Sequence, residues 1–309
     1  MRDLVSIIGR TPMVELPHLA PSPQIRLYAK LEGANPTGSV KDRIALAMLA
    51  EARESGALQP GQTILEPSSG NTGISLAMIG RLMGHPVRIV MPDNTTVERE
   101  QLLRLYGAEI VPSPGAEGSN GAIRLAQELS AADASLFMPY QYGNLANPRA
   151  HEEGTGPEIL DAVPEVDLFV AGLGTGGTLT GVGHFLKRER HGARVIAAEP
   201  LPGEQVQGLR SLDEGFVPPV LDASVLDDRY LVSNRDAVTG VRRLMREEGV
   251  FAGLSSGAAL HVALRAADEM TEGSIVVLLA DGGWKYLSTG IYDRDLHDLD
   301  DELERSLLW

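Results

Sequence analysis

The chain has 309 residues, 43% of them hydrophobic and 22% charged, a formal net charge of −15 and no cysteine. That size suits two α/β lobes or one large domain, and the balance is that of a globular chain rather than a disordered one. The acidity argues against nucleic acid and anionic membrane surfaces, and the missing thiols exclude disulfides, thiolate metal sites and cysteine nucleophiles. A substrate that is itself an anion would need local cations to capture it against the overall field.

The opening residues, Met-Arg-Asp-Leu-Val-Ser-Ile-Ile-Gly-Arg-Thr-Pro, lack the basic start and apolar core of a signal peptide. No stretch approaches the ~18 apolar residues of a membrane span, so a cytoplasmic protein is expected. From there, short β-branched runs predict strands at Ile25–Leu31, Thr63–Leu65, Val87–Val90, Glu109–Val111, Asp167–Ala171, Val195–Ala198 and Ser274–Leu279. Between them, helical patterns fall at Val40–Ser55, Gly73–Met83, Thr96–Tyr106, Asn120–Ser130, Gly177–Arg190 and Ser256–Met270. This β-α alternation predicts parallel sheets covered on both faces, with ligands beyond the carboxyl ends of strands. There is no internal repeat or low-complexity linker, and Asp293–Trp309 turns heavily acidic before closing on Ser-Leu-Leu-Trp.

Four strand-to-helix turns place small residues where a helix begins: Pro36–Lys41, Pro67–Gly73, Gly172–Thr178 and Gly253–Gly257. Helix N-termini offer unpaired N–H groups and a positive dipole end, so several such turns suit a ligand with several anionic groups. Each is also compatible with a plain N-cap. Gly172-Leu-Gly174-Thr-Gly176-Gly177 matches the dinucleotide fingerprint, and Glu199 ends the next strand where a ribose carboxylate is wanted. The same turn equally suits a single terminal phosphate, with the Thr175 and Thr178 hydroxyls as further donors. Gly253-Leu-Ser255-Ser256-Gly257 matches a hydrolase nucleophile elbow, but only His261 and His297 follow it. No pair among the seven histidines has metal-ligand spacing, so no metal site is expected. Finally, Lys41 stands at the mouth of a helix in Asn35-Pro-Thr-Gly-Ser-Val-Lys41-Asp-Arg43, where an amine could meet an aldehyde cofactor or simply face solvent.

The order and spacing of these four turns resemble the fold-type II pyridoxal-phosphate enzymes, and within them the cysteine synthases, over nearly the whole chain. Gln141–Asn147 and Thr155–Glu158 are further segments similar to that family. The resemblance implies two α/β lobes, each a mainly parallel twisted sheet flanked by helices, with the cofactor between them. It assigns residues 36–140 to a smaller mobile lobe, and 1–35 with 141–309 to a larger lobe with a C-terminal tail (295–309). It makes Lys41 the Schiff-base lysine, gives the cofactor's ring hydroxyl oxygen to Asn71, its phosphate to Gly174, Thr175, Gly176, Gly177 and Thr178, and its pyridine nitrogen to Ser255. Ser68, Ser69, Thr72 and Gln141 would bind the substrate carboxylate, with Ser68 in place of the family's more usual threonine. The implied chemistry is β-elimination from an activated serine to an aminoacrylate, followed by addition of sulfur.

Gly203–Val217 is similar to the actinobacterial cysteine synthases that use O-phosphoserine, and Arg210 matches the arginine that contacts the substrate phosphate there. A dianion entering an acidic protein calls for a guanidinium; the alternative is a loop arginine paired to Asp213 or Glu214. The ending Leu307-Leu308-Trp309 fits the same subgroup, which takes sulfur from the thiocarboxylated C-terminus of a small sulfur-carrier protein. Two other expectations stay open: an O-acetylserine enzyme using sulfide, and a catalytically silent binding homologue. The resemblance also implies a homodimer.

Overall fold

The computed structural model describes residues 3–204 and 206–299. In chain order the first part runs β1 (Met13–Glu15), β2 (Ile25–Leu31), α1 (Lys41–Glu54), β3 (Thr63–Pro67), α2 (Asn71–Leu82), β4 (Val87–Pro92), α3 (Val97–Leu105), β5 (Glu109–Ser113), α4 (Gly118–Ala132) and β6 (Leu136–Phe137). The second part adds α5 (Ala146–Ala150), a π-helical turn (His151–Thr155), α6 (Gly156–Ala162), β7 (Val166–Gly172), α7 (Gly177–Glu189), β8 (Arg194–Pro200), β9 (Asp228–Val232), α8 (Asn234–Glu248), α9 (Leu254–Ala267) and β10 (Gly273–Leu279). These strands form two sheets, ordered β1-β2-β10-β7-β8-β9 and β5-β4-β3-β6. Only β1 is antiparallel to its neighbour; the other pairings are parallel. The protein is thus an α/β fold of parallel sheets flanked by helices.

Parallel strands buried on both faces read as continuous apolar runs, and their period of two divides each run between two cores. Along β7, Leu168 and Val170 enter one core while Phe169 and Ala171 enter the other; β8 and β10 divide their residues the same way. In the smaller sheet Ile64 and Ile89 face α1 and α2, whereas Leu65 and Val90 face α4 through Ala122 and Ala126. Strands β3 and β7 end at Pro67 and Gly172, immediately before the loops into α2 and α7.

Several elements lie outside those the sequence picks out. Strands β1 and β6 span three and two residues, too short to show a period. Helix α8 did carry a signal: Ser233 and Asp236 form a reciprocal capping box, and Gly249 ends the helix at φ 70°. Helix α9 begins at Leu254 rather than Ser256, which places Ser255 in its first turn. The tail's first residues pack down, with Leu299 fully buried and Arg242 donating to the carbonyls of Ile291 and Arg294. Its end, Leu307–Trp309, lies outside the described residues.

One polar cluster pins the start of α1 to the larger sheet. Arg43 donates to both carboxylate oxygens of Glu32, from Nε at 2.7 Å and Nη2 at 2.8 Å, and to both oxygens of Glu158 at 2.7 Å. Lys30, also buried, reaches Glu158 at 2.7 Å and the Thr11 carbonyl at 2.6 Å. These are two cations and two anions with nearly all of their lone pairs and protons used, the condition under which buried charges are tolerated. Removing one partner leaves an uncompensated buried charge. Arg43→Met should therefore lower the unfolding free energy by about 3–5 kcal/mol in urea titrations. The Arg43 and Lys30 hydrogen bonds hold the Glu158 carboxyl down at about 2, below its ordinary 4.5, against the opposing effect of burial. A depressed carboxylate pKa contributes stability that is full above the unfolded value and is lost as pH falls through the folded one. Stability should thus decline between about pH 4.5 and 2, and Glu158→Gln should flatten that decline.

Candidate active site

Between the two sheets the loops enclose a cavity of about 360 Å³. Its walls include Lys41, Ser68, Ser69, Asn71, Thr72, Gln141, Gly174, Thr175, Gly176, Thr178, Arg210 and Ser255. Of the residues singled out from the sequence only Gly177 is off this wall, one position behind the loop at the start of α7. No histidine lines it, so Ser255 has no partner base there and the hydrolase reading falls. The dinucleotide reading falls with Glu199, which is fully buried. Its carboxylate accepts from the Leu212 N–H at 2.7 Å and from Arg229 at 2.8 Å.

The Lys41 turn is held from below. The buried Asp42 carboxylate accepts from the Thr37 N–H at 2.7 Å, from the Thr37 hydroxyl, and from Ser75 of α2 at 2.6 Å. Ser75 in turn sits over the Asn71 carbonyl at 2.9 Å. Lys41 itself is partly exposed to the cavity. Burial pushes its amine pKa down, opposed by the negative charges of Asp281 and Glu32.

The loop into α2 is folded by its own hydroxyls. Ser68 Oγ accepts from the N–H groups of Gly70 at 3.2 Å and Gly73 at 3.0 Å, capping α2 from three residues before its start. Thr72 donates to Gln141 Oε1 at 2.6 Å, and Gln141 donates to the Pro67 carbonyl at 3.0 Å. Gln141 thus braces Thr72 with most of its amide. Beneath it the buried Glu66 accepts the N–H groups of Tyr140 and Gln141, both at 2.8 Å, and burial raises its carboxyl to about 8.

The loop from β7 into α7 is a backbone cradle. Gly176 has φ 84°, and a Cβ on it would lie 2.7 Å from Leu221. A Cβ on Gly174 would meet the Gly208 carbonyl at 2.6 Å. Thr175 Oγ1 accepts from Asn147 at 3.1 Å, and the Thr178 hydroxyl lies 3.2 Å from His151 Nε2. His151 sits in the π-helical turn; burial and the charges of Arg43 and Lys41 push its pKa well below 6.5, so it remains neutral. Neither Asn147 nor His151 was singled out as a site residue, although both lie in or beside Gln141–Asn147 and Thr155–Glu158. Opposite, Ser255 is buried and makes no side-chain hydrogen bond among the described residues.

Arg210 forms a separate corner. It is 7% exposed, and its guanidinium lies 5.4 Å from the Tyr142 ring centroid and 4.8 Å from that of Phe216. Its Nη1 donates to Asn120 Oδ1 at 2.8 Å. It makes no ion pair with Asp213, so the structure corrects the alternative of a loop arginine salt-bridged to that residue.

This combination, a buried amine facing a glycine-built anion cradle across a cleft between two parallel sheets, defines the class. A family model for pyridoxal-phosphate-dependent enzymes matches residues 4–282, and the chain belongs to that family. A cysteine synthase of Staphylococcus aureus is 43% identical over 303 residues, which cover 95% of this chain and 97% of that protein. The crystal structure of an O-ureido-L-serine synthase superposes with a TM-score of 0.89 at 42% identity, covering 97% of this chain and 99% of that one. A cysteine synthase (OASS) from Entamoeba histolytica gives 0.88 at 33% identity, covering 100% and 94%.

Pyridoxal 5'-phosphate is therefore the cofactor, and the residues present fit it. The cradle presents the first-turn N–H groups of α7, of which Gly177's also reaches Thr175 Oγ1 at 3.3 Å, and no carboxylate among its lining residues Gly174, Thr175, Gly176 and Thr178. Ser255 keeps an unspent hydroxyl. Among the described residues no helix is long and apolar enough to cross a membrane, and no cluster of three or more His, Asp or Glu is placed to hold a metal. Gly176→Ala would force a side chain into left-handed backbone and against Leu221. It should weaken cofactor retention about 5–30-fold in ultrafiltration while far-UV dichroism stays native, the left-handed strain alone being about 1–2 kcal/mol.

Proposed function

We propose that the protein makes L-cysteine by β-replacement on O-phospho-L-serine. The Cβ–O bond to phosphate breaks with its electron pair leaving on the phosphate, a Cβ–S bond forms, and the α-proton is removed and later returned. The observation that carries this reading is Arg210: a guanidinium stiffened between two rings, donating to the Asn120 amide and making no ion pair with Asp213, on the wall of the cofactor cavity. A charge so held on the cavity wall suits a dianionic leaving group.

Bound pyridoxal phosphate supplies the electron sink that acidifies the substrate's α-carbon and lets a β-substituent depart. The rest falls to side chains. Lys41 carries the cofactor and moves the α-proton, and its lowered pKa favours the neutral amine that such a base requires. Asn71 would meet the ring hydroxyl oxygen, Gly174–Thr178 the phosphate and Ser255 the pyridine nitrogen. A serine at that nitrogen leaves it mostly unprotonated, which suits elimination over transamination. Ser68, Ser69 and Thr72 would hold the substrate carboxylate, with Gln141 bracing Thr72. The segment 36–140, which contains the four-stranded sheet, is read as the lobe that closes over the cleft. The sulfur donor is read as the thiocarboxylated terminus of a small carrier protein, or sulfide, and the working unit as a homodimer; both rest on the resemblance.

The competing substrate is O-acetylserine with sulfide, a reading supported by the relation to the Entamoeba enzyme. One titration separates them. The purified holoenzyme should show a visible cofactor band that changes on addition of O-phosphoserine; a change with O-acetylserine alone would refute the phosphoserine assignment. Arg210→Ala should lower kcat/KM for O-phosphoserine by roughly 10–100-fold, the worth of one charge-assisted hydrogen bond, with a much smaller effect on O-acetylserine. Lys41→Ala should lose the native visible band altogether.

A further inference from the structure

A second lysine is buried beside the cavity and has no part in the reading above. Lys285 stands in the 3-10 turn Gly283–Thr289 after β10 and is fully buried. Its ammonium donates to Asn71 Oδ1 at 2.7 Å and to the Gly38 carbonyl, in the Lys41 turn, at 3.2 Å. On its other side the Asn71 amide donates from Nδ2 to Asp281 Oδ2 at 2.8 Å. Asp281 is buried in turn and accepts from the Tyr286 hydroxyl at 2.8 Å; Arg99 stacks on the Tyr286 ring at 4.8 Å.

The Asn71 side chain is therefore gripped by opposite charges, an ammonium on its oxygen and a carboxylate on its nitrogen. A flipped amide would set NH2 against the ammonium and C=O against the carboxylate, so only one orientation is favourable. In that orientation one of the two Nδ2 protons goes to Asp281, and the other remains for the cavity that Asn71 lines. A lysine is costly to bury, and burial lowers the Lys285 pKa to about 8, with Arg99 and Lys41 adding to the fall and Asp281 and Asp42 opposing it. Such a cost is unexplained by packing, because a methionine or leucine would fill the same space.

We propose that Lys285 is a positioning residue for the cofactor: together with Asp281 it locks the Asn71 amide so that its free N–H meets the ring hydroxyl oxygen of pyridoxal phosphate. This rests on the assignment of Asn71 made above. The lock also couples the Lys41 turn, through Gly38, to the first residue of α2, so the cofactor's point of attachment and its ring contact share one cation.

The test compares the visible absorption and dichroism of the native holoenzyme with Lys285→Met, Lys285→Arg and Asn71→Ala, and measures cofactor release by ultrafiltration. Lys285→Met should move the band toward that of Asn71→Ala and weaken cofactor retention about tenfold, the scale of one charge-assisted hydrogen bond; Lys285→Arg should restore the native band. A native band and native retention in Lys285→Met overturn the lock. Should that variant fail to fold, Lys285→Gln removes the charge alone, and a native band there overturns it equally. If Asn71→Ala itself keeps the native band, the assignment of Asn71 falls; if it moves and the Lys285 variants do not, only the lock falls.

Discussion

The architecture hangs on the buried meeting of Arg43 and Lys30 with Glu32 and Glu158. Arg43 lies two residues beyond Lys41 on α1, Lys30 and Glu32 belong to the end of β2 and the turn after it, and Glu158 opens α6. Chain segments far apart in sequence are thereby fixed around the point where Lys41 emerges. Ion clusters of this kind contribute little net stability compared with an apolar core, but breaking one is expensive, so they act as a specification of geometry. Hydrophobic burial assembles the sheets; the ion cluster decides where Lys41 stands.

Around that point the cavity is built from strand ends rather than strand faces. Pro67 and Gly172 close their strands just before the loops that line it, and α9 brings Ser255 in its first turn. Parallel sheets make this possible because their strands all deliver loops to one edge. The electrostatics are local. In a protein of net charge −15, the buried amines of Lys41 and Lys285 and the guanidiniums of Arg99 and Arg210 are collected at one cleft. Their desolvation is tolerated where carboxylates such as Asp281 stand close, and at Arg210 it is eased by aromatic faces and the Asn120 amide.

Much of this could be read from the chain itself. The alternation of strand and helix gave the fold class, and the small-residue turns marked the cavity wall, since glycine and hydroxyl residues at helix starts leave a signature in composition. The supporting layer was not legible. Glu32, Glu158, Asn147, His151 and Lys285 act through contacts 11 to 247 positions apart, and no local pattern encodes such partners. Short strands such as β6 escaped for a different reason: two residues cannot display a period. Glu199 misled because a carboxylate ending a strand looks the same whether it holds a ribose or, as here, a neighbouring loop.

Arg210 and Phe216 stand on one excursion between β8 and β9, and only Tyr142 and Asn120 are supplied from elsewhere. That corner is built largely by one excursion, which also packs on the cradle: the Arg210 N–H donates to the Leu173 carbonyl at 2.7 Å, and Gly208 and Leu221 stand where a Cβ on Gly174 or Gly176 would fall. Substitutions in that excursion would therefore be felt at the guanidinium and at the cradle together, so a change at one is constrained by the other. The two corners of the cleft are thus mechanically coupled, each setting the room the other has to vary.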